Sequence, residues 1–248
     1  MATEERCVMC GEVIPEGQQV CPNCKSKVVW RNPKVKTLIA VPCMDTVPTE
    51  FMESMVHLRE PEGTQLAVVK NTLIYNARNT IIQNAVKLDF DRVLWLDSDM
   101  VFEPDLLLRM IDDLDLGIDY VAGLYYQRKL PTHPVVYKEI HWKVADDGWV
   151  DTGYQFFEPH PKDKLFEIAG SGFGCVMTSM DLLKRMVEVY GAPFSPLMGM
   201  GEDLTFCHRV KEQGFKMYCD PRIKLGHVGK FIYTEGVATD PSTGAETE

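Results

Sequence analysis

Two carboxylates stand at the end of an apolar run in Val93-Leu94-Trp95-Leu96-Asp97-Ser98-Asp99-Met100. A buried strand that delivers hard oxygen ligands to its exposed end suits Mg²⁺ or Mn²⁺, which take carboxylate oxygens and share their other positions with water and phosphate. Such an ion stabilises the negative charge that develops as a nucleoside diphosphate departs. Asp-x-Asp also occurs in solvated turns, so its place after a buried run is what makes Asp97 and Asp99 a candidate metal pair, with Ser98 between them.

A second acidic pair lies in Gly199-Met200-Gly201-Glu202-Asp203. Leu204, Cys207 and Val210 follow at helical spacing, and Gly214 closes the segment. Acids in a first turn favour the helix dipole. A carboxylate there also suits a general base acting on a hydroxyl, with Asp203 and Glu202 as the catalytic candidates. His227, in Gly226-His227-Val228-Gly229, is either a structural imidazole or a third metal ligand freed by its glycine neighbours. Arg78, in Asn76-Ala77-Arg78-Asn79, suits either a bidentate contact to phosphate or a surface ion pair.

Cysteines mark a different chemistry. Cys7-x2-Cys10, ten intervening residues and Cys21-x2-Cys24 form two close pairs that can meet around one tetrahedral Zn²⁺. Gly11 and Asn23 suit the tight turns of such knuckles. Four thiolates leave no open position, so the zinc is expected to be structural, holding together a segment with few large apolar side chains. Docking, nucleic-acid binding and oligomerisation stay open as its purpose. Cys43, Cys175, Cys207 and Cys219 are scattered among apolar residues and read as small buried hydrophobes.

The positioning elements follow from periodicity. Thr37–Pro42, Leu66–Val69, Val93–Leu96 and Tyr120–Leu124 are short apolar runs expected as buried strands. Helices are expected over 48–60, with Thr46 or Thr49 as cap, over 72–88, and from Pro104 to Leu114. Strands alternating with helices predict parallel pairing in a three-layer α/β/α sandwich, whose ligands sit at the carboxyl ends of the strands. Residues 125–168 read as loops and hairpins; their Trp142, Trp149, Tyr154, Phe156 and Phe157 either stack on a ligand or pack. A strand at 174–178, helices at 180–190 and 202–213, and short strands near 216–219 and 224–227 close the domain.

The expected organisation is a zinc ribbon over 1–30, a linker over 31–36, the α/β domain over 37–233 and a disordered acidic tail over 234–248. The 248 residues carry a net charge of −10, which disfavours wholesale binding to a nucleic-acid backbone, although Lys25, Lys27, Arg31, Lys34 and Lys36 cluster near the linker. No apolar stretch approaches the length of a membrane span, and the residues after Met1 lack the apolar run of a signal peptide, so a cytoplasmic protein is expected.

In order along residues 37–229 stand Val41-Pro42, Ala77-Arg78-Asn79, Asp97-x-Asp99, Gly170-Ser171-Gly172-Phe173-Gly174, Gly201-Glu202-Asp203, Pro221 and His227. This ordered set resembles the nucleotide-diphospho-sugar glycosyltransferases of the GT-A fold, particularly family 2. The resemblance implies transfer of a sugar from a nucleotide-sugar donor to a hydroxyl acceptor, with Mn²⁺ or Mg²⁺. It implies that Pro42 to Asp45 hold the nucleotide base, that Arg78 approaches the nucleotide and that Asp99, helped by Asp97, binds the metal. His227 would complete the metal or diphosphate site, Asp203 would deprotonate the acceptor as in the inverting members, with retention of the anomeric centre as the alternative, and Gly170-Ser171-Gly172 would shape the acceptor side. Cys43-Met44-Asp45 departs from the small polar residues usual after the opening proline.

Other readings compete. A nucleotidyltransferase would want a Gly-rich loop bearing Lys or Arg after the first strand, and residues 42–50 hold none of these. A zinc-ribbon adaptor binding nucleic acid or protein beside a degenerate transferase domain is opposed by the intact Asp97, Asp99, Asp203 and His227. A transferase acting on modified DNA bases would combine both ideas, against the net negative charge.

Overall fold

The structure, a computed structural model, describes residues 7, 11–15, 21, 36–229 and 232–233. The chain runs β1 (Thr37–Pro42), α1 (Thr49–His57), β2 (Gln65–Val69), α2 (Ile74–Ala85), β3 (Arg92–Leu96), β4 (Met100–Val101), α3 (Leu106–Leu114) and β5 (Tyr120–Leu124). It continues with β6 (Val136–Val144), β7 (Val150–Phe156), β8 (Phe166–Ile168), β9 (Gly170–Ser171), β10 (Cys175–Ser179) and α4 (Met180–Tyr190). The last elements are α5 (Glu202–Glu212), β11 (Met217–Lys224), β12 (Gly226–Val228) and β13 (Ile232–Tyr233).

Seven strands form a central sheet in the order β2-β1-β3-β10-β5-β11-β8. β1 pairs in parallel with β2 and β3, and β5 with β11. β10 and β8 depart from the all-parallel expectation. β10 enters antiparallel between β3 and β5, and β8 lies antiparallel on β11. The result is a mixed, mostly parallel α/β sheet. The apolar runs were sufficient to predict strands, whereas direction depends on connections that local pattern does not encode.

Side chains alternate across the sheet, so Trp95 and Arg92 face opposite sides. On the Trp95 side, Phe173, Phe194 and Phe206 pack edge-on and stacked, with Phe194 and Phe206 centroids 4.3 Å apart. This aromatic cluster joins the sheet to α2 and α5, and α4 touches both helices. On the Arg92 side lies α3, whose Leu106, Leu107, Met110 and Leu114 bury one stripe, while Arg92 pairs with Asp115 just past its end. Helices therefore cover both faces.

Some local expectations change. The strand 65–69 is an edge and not a buried strand: Leu66 and Val68 are 54% and 51% exposed, because only β1 flanks it. Neither Thr46 nor Thr49 caps α1; Pro48 holds that position without a side-chain bond. The two short strands near the C-terminal end are one longer strand, β11, irregular between Asp220 and Lys224, followed by β12. The segment 125–168 contains the β6–β7 hairpin, and β6 continues onto β9.

Candidate functional site

β3 delivers Asp97, Ser98 and Asp99 to the carboxyl end of the sheet. The turn is fixed by the backbone: Asp97 N–H donates to Gly174 C=O at 3.0 Å, and Met100 N–H to Asp97 C=O at 3.3 Å. β4 then pairs with β12, setting His227 opposite Met100, and Val228 N–H donates to Asp99 C=O at 2.8 Å. This register brings residues 128 positions apart in sequence into one site: His227 Nε2 lies 3.5 Å from Asp99 Oδ2.

His227 Nδ1 lies 2.9 Å from the Tyr126 carbonyl. A carbonyl only accepts, so Nδ1 carries the proton and Nε2 faces the carboxylate. The Tyr125 ring stands edge-on to the imidazole at 5.4 Å and fixes its plane from the other side. Tyr125 also explains two of the clustered glycines. A Cβ on Gly172 would strike its hydroxyl and one on Gly174 its ring, and the hydroxyl accepts from Gly174 N–H at 3.1 Å.

Behind the carboxylates sits Arg78, 2% exposed on α2. Its Nη2 lies 2.7 Å from Asp97 Oδ1 and its Nη1 2.7 Å from Glu202 Oε1. The guanidinium rests over Phe173 at 5.1 Å and Phe194 at 5.9 Å. Arg78 is therefore not in a surface ion pair but is a buried hub joining strand β3 to the start of α5. Asp203 follows Glu202 in the first turn of α5 and feels the charges of Arg78 and Asp97.

Arg128, absent from the sequence motifs, donates through Nη1 to Asp99 Oδ2 at 2.8 Å and to the Val228 carbonyl at 3.1 Å. Neither Arg128 nor Tyr125 lies in a recognisable local pattern. Their only sequence signal is position, directly after the fourth apolar strand.

A cleft of about 180 Å³ opens beside the pair, lined by Pro42, Cys43, Met44, Thr72, Ile74, Ala77, Asp97, Ser98 and Asp99. The end of β1 and the start of α2 thus form its apolar wall, and the acidic turn its polar wall. Asp45 is exposed and stands outside this lining.

The carboxyls differ in proton affinity. Burial raises Asp97 and outweighs the Arg78 guanidinium, with Asp99 and Glu202 pushing the same way. Burial also acts upward on Asp99, but the His227 hydrogen bond and charge, with Arg128, bring it below the ordinary carboxylate value. Asp203 is pushed up to about 6, by burial first and then by the Glu202 charge. Carboxyls pushed apart in this way suit separate roles, one a fixed anion and one a proton acceptor near neutral pH.

Among the described residues, no three His, Cys, Asp or Glu side chains enclose an ion by themselves. Asp99 and His227 offer an oxygen and a nitrogen on one side only. That open donor set fits an ion that keeps water and substrate phosphate in its remaining positions. The backbone bond at Nδ1 is the outer-shell support usual for a metal-binding imidazole.

Of the four thiolate candidates, Cys7 and Cys21 are described and lie 3% and 1% exposed around Ile14, with Leu116 against them. Gly11 N–H donates to Cys7 C=O at 2.8 Å, with Gly11 at φ +77°, a tight turn of the kind a knuckle needs. Cys10, Cys24, most of the linker 31–36 and the tail 234–248 lie outside the described residues. No helix among the described residues is long and apolar enough to cross a membrane.

No protein-family model matches the sequence, and no curated protein matches it. Among solved structures, the crystal structure of A197 from STIV is similar at a TM-score of 0.58 and 20% identity, over 79% of this chain and 86% of that one. At that identity the likeness is one of fold.

Proposed function

We propose that this chain is a GT-A-type glycosyltransferase that moves a sugar from a nucleotide-sugar donor to a hydroxyl acceptor with Mn²⁺ or Mg²⁺. One observation carries the reading: Asp97 and Asp99, Asp203 and His227, from three separate stretches of sequence, converge at the carboxyl end of a mostly parallel sheet beside a cleft. Ligands of open α/β sheets bind at that end. The fold likeness is compatible with this reading.

In this scheme the nucleotide base lies against Pro42, Cys43 and Met44, and the diphosphate lies over Asp97, Ser98 and Asp99. Asp99 and His227 hold the divalent ion, which supplies charge to the departing diphosphate. Asp97 is kept in place by Arg78. Asp203 accepts the acceptor hydroxyl proton as that oxygen forms its bond to the anomeric carbon and the bond to the diphosphate breaks, so the anomeric centre inverts. Glu202, tied to Arg78, keeps Asp203 aimed and raises its proton affinity. The cysteine module binds one structural zinc.

Thermal unfolding with UDP, GDP, CDP and dTDP sugars, with and without Mn²⁺, tests the reading on wild type and Asp99→Ala. A ligand of the folded chain raises its apparent stability. A rise that needs both Mn²⁺ and Asp99 is expected for one nucleotide. The absence of any rise in folded, zinc-loaded protein would remove the donor site and the proposal with it.

A further inference from the structure

Asp99 Oδ2 is claimed twice. Arg128 Nη1 donates to it at 2.8 Å, and His227 Nε2 faces it at 3.5 Å. Among the described residues, Arg128 is anchored by one other hydrogen bond, to the Val228 carbonyl at 3.1 Å, and its side chain is 47% exposed. It stands after β5, in the loop that the Tyr126–Pro134 bridge closes, at the rim of the acidic turn. A long, half-exposed side chain with these holds can change partner without disturbing the sheet.

A divalent ion on Asp99 and His227 would take the oxygen that Arg128 now uses. It would also face a guanidinium at repulsive distance. The displaced guanidinium needs a new anion, and its planar fork matches phosphate oxygens in pairs. We propose that Arg128 competes with the divalent ion for Asp99 and, once displaced, clasps the donor's diphosphate, so that metal and nucleotide each promote the other's binding. Arg128 is then a positioning residue that couples the two ligands. This rests on the transferase reading for its second half; the competition for Asp99 stands on the geometry alone.

The coupling is reciprocal by necessity: whatever the nucleotide gains from the metal, the metal gains from the nucleotide. Removing Arg128 frees Asp99 for the ion and deprives the diphosphate of its partner, so the two affinities move in opposite directions. A merely structural arginine would weaken both or neither.

The experiment measures Mn²⁺ binding to the full chain by electron paramagnetic resonance, alone and with each nucleoside diphosphate. It compares wild type, Arg128→Ala, Arg128→Lys and Asp99→Ala, the last reporting Mn²⁺ bound elsewhere. Arg128→Ala is expected to bind Mn²⁺ alone about fivefold more tightly. It is expected to bind the nucleoside diphosphate, at saturating Mn²⁺, about tenfold more weakly. Arg128→Lys should fall between, because an ammonium keeps the charge and loses the fork. Mn²⁺ affinity in Arg128→Ala that is unchanged or weaker overturns the proposal, as does failure of both wild type and Arg128→Ala to bind Mn²⁺ at Asp99. If wild type binds Mn²⁺ but no nucleoside diphosphate, the transferase reading and the clasping half fall together, and the metal-alone comparison still decides the competition.

Discussion

Arg78 Nη1 and Glu202 Oε1 lie 2.7 Å apart across 124 positions of sequence, and the other arm of the same guanidinium holds Asp97. One buried cation thus sets the distance between the turn after β3 and the first turn of α5. Its replacement by alanine leaves two carboxylates facing each other, a loss of about 3–5 kcal/mol by the usual cost of breaking a buried pair. Arg78→Lys should recover only part, since one ammonium cannot serve two partners in fork geometry. Urea denaturation at pH 7 measures both; an Arg78→Ala protein as stable as wild type would contradict the hub.

Asp203 is pushed up to about 6, so its basic form prevails above that pH and its protonated form below. The transfer rate at saturating donor should fall about tenfold per unit below pH 6 and level off above pH 7. Asp203→Asn should lower the rate by a factor of about 10²–10⁴ while leaving Mn²⁺-dependent nucleotide binding in place. A flat profile between pH 5 and 7 would assign the proton to another group.

Away from the cleft, Asp113 and Asp220 are buried together beside Arg222. Burial first, then the Asp220 charge, pushes the Asp113 carboxyl up to about 8. The folded chain therefore keeps a proton that the unfolded chain loses near pH 4, and stability must decline as pH rises from about 4 to about 8. Asp113→Asn supplies a neutral donor in that place. It should flatten the decline and raise the melting temperature at pH 8.5 by a few degrees, about 2–4 °C per kcal/mol. Parallel pH slopes for the two proteins would exclude the shared proton.

The buried Cys7 and Cys21 predict one zinc per chain by elemental analysis, with loss of the metal in Cys7→Ser and Cys10→Ser. Chelation should loosen the N-terminal module, read as faster proteolysis before residue 36, without lowering the unfolding midpoint of the sheet. A chain that purifies without zinc and keeps the same protease pattern would refute the module.

Much of the site is legible from Val93–Asp99 alone, because an apolar run ending in acids announces both a buried strand and its exposed end. The helices follow from their stripes, as in Leu106, Leu107, Met110 and Leu114. What escapes a linear reading is partnership over distance. Nothing near Arg78 names Asp97 and Glu202, nothing near Arg128 names Asp99, and the exposure of Leu66 depends on β2 having a single neighbour. The glycines at 172 and 174 announce a close approach, but only the fold supplies the Tyr125 side chain that makes it.

The insertion of β10 has a consequence for how the chain is made. Among the described residues, strands β2, β1 and β3 share no ladder with β5, β11 and β8 except through Cys175–Ser179. During synthesis the first of these groups emerges well before the strand that joins it to the rest. The nascent sheet must therefore wait with the Leu94–Leu96 edge unpaired, which favours slow, late closure and exposes that edge to chaperones and to other chains.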